Sequence, residues 1–125
     1  FFVIVDEVSG PASGRLTLRN CLGPGELTEI ANGNYLYRDG DAGLCVAVSG
    51  PEGSTVSVDI DWFSEAFKEM ALRPVIRLDV PRSQEAASQI FVTVLYPFCG
   101  ENTPEITIKN NTDLYIDSQY YNIEY

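Results

Sequence analysis

The sequence predicts an all-β protein, an antiparallel β-sandwich. Apolar and polar residues alternate over short stretches, as in Val56, Val58 and Ile60 against Ser57, Asp59 and Asp61. That is the period of a half-buried strand. Clusters of Gly, Pro, Asn and Asp recur between these stretches, at the roughly 8–12-residue spacing of a sandwich. No long stretch keeps a helical period.

Residues 1–8 alternate as the first strand, and Ser9-Gly10-Pro11-Ala12-Ser13-Gly14 is a loop by composition. Arg15 to Cys21 is a second strand, with Leu16 and Leu18 opposite Thr17 and Arg19. Gly23-Pro24-Gly25 turns the chain, Glu26 to Ile30 is a short strand, and Asn32-Gly33 is a hairpin signal leading to Tyr35-Leu36-Tyr37. After the turn Asp39-Gly40-Asp41-Ala42-Gly43, Leu44 to Ser49 is apolar enough to be a central strand. Gly50-Pro51-Glu52-Gly53 turns into the alternating Thr55 to Asp61.

Trp62 to Met70 is ambiguous. Trp62, Phe63, Ala66, Phe67 and Met70 would line one helical face with Asp61 as cap, or form a bulged strand or loop. Pro74 to Val80 alternates, and Pro81 to Ser88 reads as a polar loop. Gln89 to Tyr96 is a strand and Pro97 to Pro104 a loop. Glu105 to Asn110, Leu114 to Ile116 and Gln119 to Tyr125 complete the set.

A pattern occurs twice. Phe2-Val3-Ile4-Val5 precedes Leu16-Thr17-Leu18-Arg19-Asn20, and Phe91-Val92-Thr93-Val94 precedes Ile106-Thr107-Ile108-Lys109-Asn110, at offsets of 89 and 90 positions. Residues 1–125 read as a single sandwich domain. It is one module of a tandem repeat with strands exchanged at its ends and boundaries near 15 and 105.

The length suffices for a real core. Hydrophobic residues make up 45% and charged residues 21%, a globular composition, and no apolar run reaches the roughly 20 residues of a membrane-spanning helix. Asp6 and Glu7 interrupt the apolar start, unlike a signal peptide, and a start on Phe1-Phe2 without Met reads as a fragment or processed chain. The net charge of −10 opposes nucleic acid and anionic lipid.

Lys68, Arg73, Arg77 and Arg82 fall in one 15-residue window. They read as a solvated strand and loop, or as a local contact for an acidic partner or lipid headgroup. The three cysteines, Cys21, Cys45 and Cys99, do not form a scaffold pattern, and without histidine a zinc site is not expected. A reducing compartment is favoured, with one disulfide in a secreted protein as the rival. Asn110-Asn111-Thr112 is a glycosylation sequon, relevant only to an exported chain.

Catalytic chemistry is sparse. The common triads and the commonest general base need histidine, and no base neighbours the cysteines. Asp59 and Asp61 share a strand face, which reads as an exposed acidic face before it reads as a two-carboxylate site. The Asp39–Gly43 stretch lacks the later carboxylate of a calcium loop and reads as a polar turn. Tyr115, Tyr120, Tyr121 and Tyr125 read as sealing one sheet against another, or as a stacking or peptide-docking surface. Asn20 and Asn110, each ending a strand, would bond nearby backbone groups, tolerate a left-handed conformation and tie loops together. The expected assignment is no enzyme and no cofactor.

The run Ile90-Phe91-Val92-Thr93-Val94, a loop, then Ile106 to Ile116 resembles the β-repeats of the adaptor-binding region in the vacuolar protein sorting thirteen family of bridge-like lipid transfer proteins. Asn20 and Asn110 match the Asn characteristic of those repeats. The resemblance implies a non-catalytic interaction module that binds a protein partner through a short Pro-containing peptide and recruits a lipid transfer protein to organelle contact sites. Asn20 and Asn110 would be structural, and Arg73, Arg77 and Tyr115 are the other partner-facing candidates. The implied location is cytoplasmic and peripheral at organelle membranes, with membrane contact only indirect. The alternative is a secreted or cell-surface β-sandwich binding protein, such as an adhesin, effector or toxin-like protein.

Overall fold

A computed structural model describes residues 1–11, 13–82 and 88–125. Among the described residues eleven strands, all paired antiparallel, run in the order β1 (Phe2–Ser9), β2 (Gly14–Cys21), β3 (Glu26–Ala31), β4 (Asn34–Asp39), β5 (Ala42–Ser49), β6 (Thr55–Phe63), β7 (Ala71–Arg82), β8 (Ser88–Cys99), β9 (Ile106–Lys109), β10 (Asp113–Ile116) and β11 (Gln119–Asn122). Ala12 in the first expected loop, and residues 83–87 in the loop expected over 81–88, lie outside the described residues. Pro81 and Arg82 extend β7, and Ser88 opens β8. No helix among the described residues is long and apolar enough to cross a membrane.

The strands form three sheets: a five-stranded sheet in the order β1-β8-β5-β4-β3, and two three-stranded sheets, β2-β7-β6 and β11-β10-β9. Side-chain alternation places the five-stranded sheet in the middle. Cys45, Ala47, Val92 and Val94 pack against Ile106, Leu114, Ile116 and Ile123 on one side. Val46, Val48 and Phe91 pack against Ile76, Leu78 and Val80 on the other. β5 and β8 are therefore covered on both faces, which explains why Leu44–Val48 and Phe91–Leu95 read as nearly continuous apolar runs instead of alternating. The all-β antiparallel sandwich expected from the sequence is the fold found.

The twice-stated pattern has a different meaning in space. Its first blocks are neighbours in one sheet, with Val3 opposite Val94 and Val5 opposite Val92. Its second blocks part to opposite outer sheets, Leu16 to Leu18 in β2 and Ile106 to Ile108 in β9. Residues near 15 open β2 and residues near 105 precede β9, but the two halves of the pattern are not equivalent in the fold.

The Trp62 to Met70 stretch forms no helical face. Trp62 and Phe63 continue β6, pairing with Leu72 and Ala71. The chain then turns through Ser64, whose hydroxyl donates to the Ala66 carbonyl, and Lys68, at φ 67°. Pro74 sits in the central strand of its sheet, a place proline normally avoids. It is tolerated because β2 ends beside it: Cys21 pairs with Val75, and Leu22 N–H donates to the Pro74 carbonyl.

Tight turns set the registers. Gly33 has φ +78°, and a Cβ there would lie 2.8 Å from the Val48 carbonyl oxygen, so the β3–β4 turn needs glycine. The β9–β10 and β10–β11 turns each have two successive positive-φ residues, Asn110 and Asn111 (54° and 59°) and Asp117 and Ser118 (47° and 68°). This is the type I′ pattern that matches the twist of antiparallel strands.

Candidate functional site

Two outer surfaces and one pair of clefts hold the candidate chemistry. On the solvent side of the β2-β7-β6 sheet, alternation lines up Thr17 and Arg19, Arg73, Arg77 and Asp79, and Ser57, Asp59 and Asp61. Arg77 grips Asp79 with Nε 2.7 Å from Oδ2 and Nη2 donating to Oδ1 at 3.0 Å, and the Thr17 hydroxyl also donates to Oδ1. The Arg77 and Thr17 hydrogen bonds hold the Asp79 carboxyl below its ordinary pKa, and the bond to Asp79 pushes the Arg77 guanidinium up. Asp61 lies between Arg19 (3.3 Å) and Arg73 (3.9 Å). Arg73 also lies 5.1 Å from the centroid of the Phe63 ring. Arg73 and Arg77, read as candidates for an acidic partner, thus already have carboxylate neighbours within the same sheet.

Asp59 and Asp61 do not form a carboxylate pocket. Each bends onto the backbone of its own strand: Asp59 Oδ1 accepts from Ile60 N–H at 2.9 Å and Asp61 Oδ1 from Trp62 N–H at 2.8 Å. Among the described residues no group of three His, Cys, Asp or Glu side chains could hold a metal. Cys21, Cys45 and Cys99 are free, and burial pushes the Cys45 thiol up.

The β11-β10-β9 sheet carries the aromatic surface. Tyr115 is half-buried, 5.4 Å from the Tyr120 ring, and the Lys109 ammonium sits 5.0 Å from its centroid. Tyr120 donates to Asp113 at 3.0 Å, and this bond raises its pKa.

Of the two candidate asparagines, Asn110 is exposed and only supplies left-handed backbone. The loop-tying role falls to its neighbour. Asn111 accepts from the Ser49 hydroxyl at 2.6 Å and donates to the carbonyls of Ile90 (3.2 Å) and Gly50 (3.4 Å). Asn20 lies on β2 opposite Ile76, and its buried amide nitrogen has no hydrogen-bond partner among the described residues. Asn34, not singled out from sequence, donates to the Ile106 carbonyl at 2.9 Å and so fastens β9 to β4. It stands between two clefts of about 330 and 320 Å³, one lined by Asn32, Ser49 and Ser54, the other by Ile30, Tyr35 and Cys45. The first is polar and the second largely apolar, and neither assembles a nucleophile with a base.

No family model matches the chain. It is similar to a heparin-sulfate lyase of Pedobacter heparinus, 25% identical over 120 residues that make up 89% of this chain and 17% of that protein. It is also similar to a heparin-sulfate lyase of Bacteroides stercoris, 27% identical over 112 residues, again 17% of the relative. A solved heparinase III with methylated lysines superposes on 98% of the chain with a TM-score of 0.84 at 25% identity, covering 21% of that structure. A heparan sulfate lyase structure from Pedobacter heparinus matches the fold with a TM-score of 0.81 at 18% identity. The chain spans about one sixth of the length of these curated relatives.

These findings correct the expectation built on the vacuolar protein sorting resemblance. The relatives are heparin-sulfate lyases, so the lipid-transport, contact-site and adaptor-recruitment readings fall, as does the assignment of no enzyme. The secreted adhesin, effector or toxin-like alternative gains no support either. The physical reason is plain in the hairpin. Alternation belongs to any half-buried strand, and a type I′ turn favours Asn, Asp or Gly at its left-handed positions. The Ile106-Thr107-Ile108-Lys109-Asn110 run therefore reports strand and turn geometry, and its counterpart Asn20 lies within β2 rather than in a turn.

Proposed function

We propose that this chain is a β-sandwich segment of a polysaccharide lyase acting on an acidic glycosaminoglycan of the heparan sulfate type. The observation that carries the reading is the agreement of sequence and fold over nearly the whole chain, 89% in sequence and 98% in structure. A lyase needs a base able to take a proton near neutral pH. In the two clefts beside Asn34 the ionisable side chains are Tyr35, Cys45 and Glu105, and burial pushes Tyr35 and Cys45 up, away from that range. On this reading the segment supports the enzyme's architecture, and the proton-abstracting group belongs to the rest of the polypeptide.

The test is cleavage of heparan sulfate, followed by the ultraviolet absorbance of the unsaturated sugar end it creates. A longer polypeptide carrying this chain should cleave, and the 125-residue chain alone should not. A longer polypeptide that leaves heparan sulfate intact refutes the proposal.

A further inference from the structure

The core-facing side of the β2-β7-β6 sheet is only partly covered. Val56, Ile76, Leu78 and Val80 on that side join the core. Further along β6 the same face carries Val58, Ile60 and Trp62, and β7 adds Leu72 opposite Trp62. These four are 49%, 64%, 61% and 53% exposed. Contiguous apolar surface of this kind marks an interface.

We infer that this face docks against the remaining part of the lyase polypeptide, an inference that rests on the function proposed above. The occupant follows from the residues around the patch. Strand addition along the β6 edge is disfavoured because the Ile60 and Trp62 N–H groups are already taken by Asp59 and Asp61. Pairing of β6 with a second copy would also bring these acidic residues together, between chains that each carry −10. Apolar side chains give sulfates no partner, so the polysaccharide itself does not fit. An apolar face of another domain does, and in the relatives most of the polypeptide lies outside the matched stretch. The acidic row Ser57-Asp59-Asp61 on the opposite face remains with solvent.

Trp62 is the chain's one tryptophan, which makes side-chain oxidation by hydroxyl radicals, read by mass spectrometry, a direct probe. The oxidation rates of Trp62 and Leu72 are compared in the 125-residue chain and in the longer polypeptide that carries it. Several-fold protection of both in the longer polypeptide is expected. Trp62→Ser should lower the thermal midpoint of the longer polypeptide by several degrees and leave that of the short chain nearly unchanged, because the side chain is already exposed there.

Equal oxidation in the two forms overturns the inference, as does the absence of any longer polypeptide. Protection that grows with the concentration of the short chain assigns the face to a second copy and also overturns it. Heparan sulfate cleavage is measured on the same longer polypeptide. Cleavage without protection refutes the docking alone, and protection without cleavage refutes the lyase reading alone.

Discussion

The two outer sheets pack on opposite faces of the same central sheet but are held differently. The β11-β10-β9 sheet is small, with strands of four residues, and is fastened by polar side chains reaching across layers. Asn34 holds the Ile106 carbonyl, and Asn111 holds Ser49, Gly50 and Ile90. The β2-β7-β6 sheet has strands of eight to twelve residues. Its ion pairs lie within the sheet, on the solvent side. Its inner face attaches mainly by apolar packing over part of its area, with a cross-layer bond from the Gln89 amide to the Pro81 carbonyl at 3.3 Å. Short strands have few backbone pairings to hold them, so directional bonds add to the packing of Ile106, Leu114, Ile116 and Ile123. Long strands are anchored by area and can leave one margin free.

The largest expected effects test this difference through the core. Leu114 and Leu78 are both fully buried, one in each outer sheet. Truncating a buried leucine to alanine costs about 2–5 kcal/mol. Leu114→Ala is expected near the upper end, because Ile106 and Ile116, which pack with it, lie on strands of only four residues that have little else to hold them. Leu78→Ala is expected nearer the lower end, since Ile76 and Val80 stay buried beside it in a sheet with strands of eight to twelve residues. Urea unfolding of both variants measures this, and the reverse order breaks the comparison.

The next effect concerns the polar fastening. Asn111→Ala removes three bonds and puts at a left-handed φ a residue without the short polar side chain that lets Asn tolerate it, for a loss of about 2–4 kcal/mol. Asn111→Gly relieves the backbone but not the lost bonds, and should lose about 1–3 kcal/mol. Asn110→Gly keeps the turn and breaks no cross-layer bond, so its thermal midpoint should stay at or slightly above the starting value. Equal losses at the two positions would show that turn geometry, not cross-layer bonding, holds the sheet.

Strand positions and most turns were legible because alternation and turn chemistry are local. The pairing of sheets into layers was not. The sequence shows that Val46 and Ala47 are both apolar, but not that they face different outer sheets. Asn110 and Asn111 have the same side chain in adjacent turn positions, and only the direction each points separates an exposed turn residue from a cross-layer fastener. Trp62 to Met70 was ambiguous because its aromatic spacing fits a helical face as well as an apolar strand margin left uncovered. The similarity to heparin-sulfate lyases was illegible for a chemical reason. Among the described residues no base-and-nucleophile constellation forms, and alternating strands that run toward an Asn arise from strand and turn physics in unrelated proteins, Asn110 in a turn and Asn20 within β2.

The smallest effect isolates the solvent side of the β2-β7-β6 sheet. The Asp79 carboxyl is held below its ordinary pKa first by the Arg77 hydrogen bond and then by Thr17. A carboxylate depressed in the folded state contributes stability that is fully present above its unfolded pKa and is lost as pH falls through the folded one. The stability gap between the parent chain and Asp79→Asn should therefore be constant near neutral pH and close on acidification below the usual carboxylate range. Arg77 is partly open to solvent, so screening keeps the gap small and added salt should shrink it. Urea unfolding from pH 7 down to about 2 spans the ordinary carboxylate pKa. A gap that persists unchanged through that range would mean Asp79 acts through its buried packing rather than through its charge, and the two outer sheets would then differ less in the kind of force that holds them than in its amount.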